Sequence, residues 1–322
     1  MTPTSPPLPP LFFHQEFSDF DSFEAAAKGW NLDFLQLDPG EFRASITQLM
    51  TAKVVINRCT LGRRFLQRGE TPPGFRTFGL SAGDEFSIKW RGHEVGPEHL
   101  MIFPEGQSLE SVSSPGFDAF AISISESYLD QVARNRGFED MIDMLSPADL
   151  LEISRNDCSK LRTLLFDLLE KSVAQPRLLS TPEFMNRVEN EFVETLMALT
   201  SAGKAVENAW EDSPSRSCGF KKAINFMKEQ ADQAITIAEV QEHAGVSERT
   251  LRYAFEDIYG MSPKSYLLHL RLNRLRLDLI RNPDLPIGHL AKRWSFRHMG
   301  QLSKDYHKLF GELPSHTKRG TA

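Results

Sequence analysis

The chain has 322 residues, 40% hydrophobic and 25% charged, a composition that supplies apolar material for two cores. No apolar run approaches the roughly 20 residues that cross a bilayer, and the start MTPTSPPLPPLFF lacks the basic opening and long apolar centre of a signal peptide, so a cytoplasmic protein with a loose Pro-rich tail is expected. The formal net charge is −6, yet residues 218–322 hold 17 Lys and Arg against 11 Asp and Glu, while the rest hold 20 against 32; only the C-terminal end suits a phosphate-bearing partner.

From about Glu41 to Ser125 the sequence predicts short strands. Phe42, Ala44 and Ile46 alternate with polar neighbours, as do Phe86, Ile88 and Trp90, and then Phe120, Ile122 and Ile124. Pro72-Pro73-Gly74, Ala82-Gly83-Asp84, Gly96-Pro97 and Pro115-Gly116 fall at turn spacing, which predicts an antiparallel barrel or sandwich. Phe75, Phe78, Phe86, Trp90 and Phe103 are candidates to line an effector pocket. Filling the core is the plainer role for each, and no effector contact is assigned.

Helices follow. Ser125 is placed to cap one that stops at Gly137, and Asp157 one carrying Leu161, Leu164, Leu165, Leu168 and Leu169. Thr181-Pro182 opens a third, with Phe184, Val188, Phe192, Leu196 and Leu199 at helical spacing. Such stripes mark core packing or a helix pair shared with a second subunit. Residues 201–219, SAGKAVENAWEDSPSRSCG, are small, polar and helix-breaking and read as a linker. They separate an N-terminal domain, residues 1–200, from a helical C-terminal domain, residues 220–322.

The stretch TIAEVQEHAGVSERTLRYAFEDIYG has the plan of a helix-turn-helix, in which a supporting helix and tight turn present a second helix to the major groove. Ile237, Val240 and Ala244 give the supporting helix its buried face, Gly245 the turn, Val246 a core plug and Ser247 the cap of the second helix. Leu251, Phe255 and Ile258 form the inner stripe of that helix. Glu248, Arg249, Arg252, Tyr253 and Glu256 point away from it. An arginine fork matches the O6 and N7 acceptors of guanine, though an isolated arginine pair reads more readily as a solvated face.

A second copy tips that balance. In IGHLAKRWSFRHMGQLSKDYHKLFG, after Pro286, Ile287, Leu290 and Ala291 repeat the buried face, Phe296 follows the turn, and Leu302, Tyr306 and Leu309 repeat the inner stripe. His298, Gln301, Lys304 and His307 are left outside. Between the copies Ser262-Pro263 starts a long helix running to Arg281. About 19 residues rise roughly 28 Å, near the ~34 Å between successive major grooves on one side of B-DNA.

The succession AGVSERTL, FEDIYGMSPKSYL, AKRWSF, QLSKDYHKLFG and LPS, over about Phe220 to Lys318, resembles the DNA-binding domain of AraC/XylS-type bacterial transcription regulators. The resemblance implies that both second helices read double-stranded DNA, through Arg249, Arg252 and Tyr253 in the first and Gln301, Ser303 and Lys304 in the second. With Ser247 and His298 at the helix starts, these are the candidate DNA-contacting residues. The family usually has Gly in the turn before Phe296 where this chain has Ser295, which predicts backbone strain there; Leu302 stands where Phe is more usual. LDPGEFRASITQL, together with WSFRHMGQL and LFGELPS, is similar to the branch that includes the ethanolamine-utilisation regulator. That likeness implies an α+β chain with a cupin-like N-terminal β-barrel that binds a small-molecule effector. A homodimer formed through the N-terminal helices and contact with RNA polymerase are also expected; activator is the working reading, with repression left open.

No metal-enzyme or nucleotide-loop signature is complete. His93 and His99 are six residues apart, not at the spacing of HExxH, and the full cupin metal set is missing. There is no GxxxxGK or GxGxxG. Cys59, Cys158 and Cys218 are too scattered for a disulfide framework or a cysteine zinc site. A regulator without cofactor or metal is therefore expected, against a metal-dependent barrel enzyme with a regulatory tail or a sequence-indifferent DNA-packaging protein.

Overall fold

The computed structural model describes residues 11–18, 20–26, 33–84, 88–90, 93–103, 108–137, 150–206 and 214–319. The N-terminal part carries β1 (Leu11–Phe17), α1 (Phe20–Ala26), β2 (Asp33–Gln36), β3 (Ala44–Met50), β4 (Val54–Leu61), β5 (Phe65–Glu70) and β6 (Phe75–Ser81). β7 (Ile88–Trp90), β8 (His93–Val95), β9 (His99–Phe103), β10 (Ser108–Val112) and β11 (Phe117–Ser125) complete the run. The strands begin earlier than the alternation from Glu41 suggests, since β1 and β2 precede it, and β1 starts within the stretch read as a tail. Residues 1–10 and Phe86 lie outside the described residues.

Strands β1-β3-β4-β11-β6-β9 are hydrogen-bonded in that order, extended by β12 (Leu150–Glu152) and β13 (Lys204–Ala205), and β2-β5-β10-β7-β8 form a second sheet. Neither sheet closes on itself, which corrects the expectation of a barrel. The physical reason is visible in β11, which is apolar on both faces. Phe117 and Ala119 join residues of the smaller sheet, Phe34, Phe65 and Trp90, in one cluster, while Phe120, Ile122 and Ile124 pack outward beneath helices. A strand buried on both sides belongs in the middle of three layers. The inner cluster is rich in edge-on aromatic pairs, such as Phe23 with Phe34 at 4.9 Å and Trp90 with Phe103 at 5.1 Å.

α2 (Glu126–Arg136) is bounded by Ser125 and Gly137 as expected. α3 (Arg155–Ala174) is capped by Ser154, whose hydroxyl accepts the Asp157 amide; Asp157 is a first-turn residue and not the cap. That exchange follows from chemistry, because a serine three residues before an acid lets each support the other, and the Ser154 hydroxyl donates to Asp157 Oδ2 at 2.7 Å. Thr181 caps α4 (Pro182–Asn186), and one π turn at Arg187–Glu191 leads into α5 (Phe192–Ser201). The wide π turn keeps Phe184, Val188, Phe192 and Leu196 buried along one line.

The C-terminal part is helical: α6 (Pro214–Glu229), which begins inside the linker-like stretch, then α7 (Ile237–Ala244), α8 (Glu248–Tyr259), α9 (Pro263–Arg281), α10 (Ile287–Arg293), α11 (Met299–Phe310) and α12 (Pro314–Arg319). Two cores flank α9. Tyr266, Leu267 and Leu270 pack with α6, α7 and α8, and Leu272, Leu275 and Leu279 with α10 and α11. α9 is buried or half-buried nearly all round, because its remaining side meets the N-terminal sheets. Leu277 joins the aromatic cluster there, while Leu35, Leu37, Leu66 and Val112 of the sheets join the core of the first unit.

Candidate nucleic-acid interface

Each expected reading helix follows the same kind of turn. Thr236 and Glu239 form a capping box at the start of α7. The helix ends in a left-handed Gly245 at φ +67°, where the Val246 amide returns to the Gln241 carbonyl and the Gly245 amide to that of Glu242. α10 ends alike: the Phe296 amide bonds the Ala291 carbonyl, the Ser295 amide that of Lys292, and Ser295 stands at φ +61°. Both closures are Schellman turns. Ser295 is the described non-glycine residue with positive φ, and the strain expected there is present, of order 1 kcal/mol.

Beyond these turns α8 and α11 each run for twelve residues. Their N-caps, Ser247 and His298, are 51 positions apart. Leu251, Phe255 and Tyr259 are buried in α8, and Leu302, Tyr306, Leu309 and Phe310 in α11. Ile258, placed in the inner stripe by spacing, is only half-buried, and Tyr259 takes its depth.

Ser247, Arg249, Arg252, Tyr253, His298, Gln301 and Lys304 are exposed, and Ser303 is half-buried. The Ser247 hydroxyl already accepts the Thr250 amide at 3.1 Å, so its first task is to cap. Tyr253, 48% exposed, has the guanidinium groups of Arg249 and Arg252 over its ring, 5.2 and 5.4 Å from its centre. Arg252 also approaches Glu256 at 3.8 Å, and Gln301 donates to Asp305 at 2.8 Å; both contacts are exposed and readily exchanged for a ligand's acceptors.

The opposite ends of both reading helices meet one patch of the N-terminal domain, a feature sequence reasoning missed. The Gly40 amide donates to the Leu309 carbonyl of α11, and Arg64, paired with Asp38, reaches the Tyr259 carbonyl of α8. Gln36 Nε2 lies 2.8 Å from that same Leu309 carbonyl, and its backbone pairs with the Asn273 side chain of α9 through both N–H and C=O. Arg68 donates to the hydroxyls of Tyr259 and Tyr266. The one hint in the sequence is Asn273 itself, a polar residue at a buried position of α9. His269 lies beside it, pushed down to about 4 by burial, with Lys308 lowering it further and Asp38 opposing.

The aromatic residues suggested for a pocket do not converge. Phe78 packs on the helical side of the large sheet, Trp90 and Phe103 on the other. His99 Nδ1 accepts the Gly96 amide. No group of three or more metal-binding side chains occurs among the described residues, and no described helix is long and apolar enough to cross a membrane.

Residues 240–320 match the helix-turn-helix domain family. The matched region takes in α8, α9 and α11. The regulatory protein HrpB of Ralstonia nicotianae is 36% identical over 37% of this chain and 26% of its own length. A probable thc operon regulatory protein of Rhodococcus erythropolis is 31% identical over 34% of each chain. The chain therefore spans about a third or less of these relatives. The XylDLEGF operon transcriptional activator of Pseudomonas putida is similar over a longer reach, 25% identical across 71% of both chains. Among solved structures, the AraC-like transcriptional activator CuxR covers 88% of this chain at 15% identity with a TM-score of 0.46. The relatives named are regulatory proteins or transcriptional activators.

Proposed function

We propose that the chain is a sequence-specific DNA-binding transcription regulator, an activator and not an enzyme, which reads double-stranded DNA with α8 and α11. The observation that carries this reading is the repetition. Two twelve-residue helices, each preceded by a left-handed turn, sink an apolar face into separate cores and leave Arg249, Arg252, Gln301 and Lys304 in solvent. A packaging protein would need a basic surface throughout, whereas the N-terminal part of this chain is acidic.

The N-terminal domain, of the cupin-like kind that the resemblance implies, is proposed to sense a small molecule. A cleft of about 470 Å³ between α2 and the π turn, lined by Tyr128, Gln131, Asn135, Arg136, Asn190 and Glu194 among others, is in the size range of ligand sites and suits a small polar effector. The phrase that suggested the ethanolamine-regulator branch, LDPGE, is the very loop that meets Leu309, which supports it as the route by which effector binding alters the readers. A homodimer and contact with RNA polymerase belong to the same proposal.

The test is binding by the full chain to duplexes enriched from a random pool. Replacing Arg252 with Ala is expected to cost about 1–3 kcal/mol on the enriched sequence and little on scrambled DNA, with wild-type affinity falling steeply as salt rises. Equal losses on both duplexes, or a flat salt titration, would contradict base reading.

A further inference from the structure

The two units differ at one backbone position. Gly245 closes the first turn at φ +67° with open space where a Cβ would stand, and Ser295 closes the second at φ +61°. A side chain is tolerated poorly in that conformation, so a serine there calls for a compensating contact. It has one. The Ser295 hydroxyl donates to the Asp232 carbonyl at 2.6 Å, across 63 residues, in the loop between α6 and α7 of the first unit.

That loop is gripped from two sides. Arg271 of α9 donates from Nε to the Ala231 carbonyl at 2.9 Å and from Nη2 to that of Gln233 at 2.6 Å, and Ser295 takes the carbonyl between them. Trp294, the residue before, packs against the cores of both units and donates its indole N–H to Asp278 of α9. Three consecutive carbonyls of the first unit are thereby joined to the connecting helix and to the turn that launches α11. Among the described residues, the Ser295 hydroxyl is the hydrogen bond that the second unit makes to this loop.

We propose that Ser295 is a positioning residue that fixes the second reading helix relative to the first, and so narrows the spacing between DNA half-sites that the protein accepts. The proposal rests on the DNA-reading function above. Without the hydroxyl the second unit keeps its fold, because glycine favours this φ, but it can pivot on Trp294 and accommodate neighbouring spacings.

The experiment uses the full chain and duplexes carrying both enriched half-motifs at the selected spacing, and with one or two base pairs added or removed. Wild type loses affinity sharply off the optimum. Both Ser295→Gly and Ser295→Ala are expected to flatten that profile by about two- to tenfold, the worth of one exchanged hydrogen bond, while Ser295→Gly melts at or above the wild-type temperature and Ser295→Ala below it. Profiles in both variants that keep the wild-type shape overturn the proposal, as does a flattening confined to Ser295→Ala, which would trace it to strain. A wild-type protein indifferent to spacing overturns the two-reader function itself, and this inference with it.

Discussion

At the scale of single residues, most of the exposed chemistry is ordinary and the departures mark joints. His269 is the clearest. Its pKa falls to about 4 because burial disfavours the cation and Lys308 adds to the penalty, with Arg64 also unfavourable and only Asp38 and the Leu37 backbone opposing. Its Nδ1 is buried without a hydrogen-bond partner among the described residues. Between pH 6.5 and about 4 the unfolded chain binds a proton that the folded chain does not, so stability declines as pH falls through that window, by up to about 3 kcal/mol. Urea midpoints measured across pH 4 to 7 should show this slope, and His269→Gln should remove most of it. An unchanged slope in the variant would place the acid sensitivity elsewhere.

At the scale of elements, the helices of the C-terminal part were legible because local chemistry decides them. Serine caps at Ser247 and Ser262, glycine at Gly245 and apolar spacing at Leu251 and Phe255 each specify one end or one face, and the structure uses them as read. Where two residues competed for one role the reading slipped. Asp157 was taken for the cap that Ser154 supplies, since both types accept an N-terminal amide. The closed barrel failed for a different reason: alternation reveals one apolar face, and β11 has two. α9 carries a signal that periodicity alone cannot interpret, a buried Asn273 among leucines. Its side chain pairs both backbone groups of Gln36 on β2. Asn273→Ala would leave that buried amide and carbonyl unpaired and should cost about 1–3 kcal/mol, read as a lowered melting temperature of the full chain; an unchanged temperature would mean that the β2 contact contributes nothing.

At the scale of the whole molecule, the outward faces of the readers were legible and their inward attachments were not. Arg249, Arg252 and Gln301 follow from helix geometry, because an amphipathic helix must expose what its core excludes. The contacts of Gln36, Gly40 and Arg64 with α8, α9 and α11 span well over a hundred residues, and nothing in a single sequence couples positions so distant. The resulting design is a DNA-binding domain whose two readers share a rigid helix and a common abutment. On the function proposed above, the loop at Leu37–Glu41 is where the N-terminal domain touches the second of them. The most direct test of the account is enrichment of bound fragments from random DNA by wild type, Arg252→Ala and Gln301→Ala in parallel. Wild type should select two half-motifs about one helical turn, roughly 10 base pairs, apart, with each variant losing the information in a different half. Selection of a single undivided motif, weakened uniformly by either substitution, would contradict it.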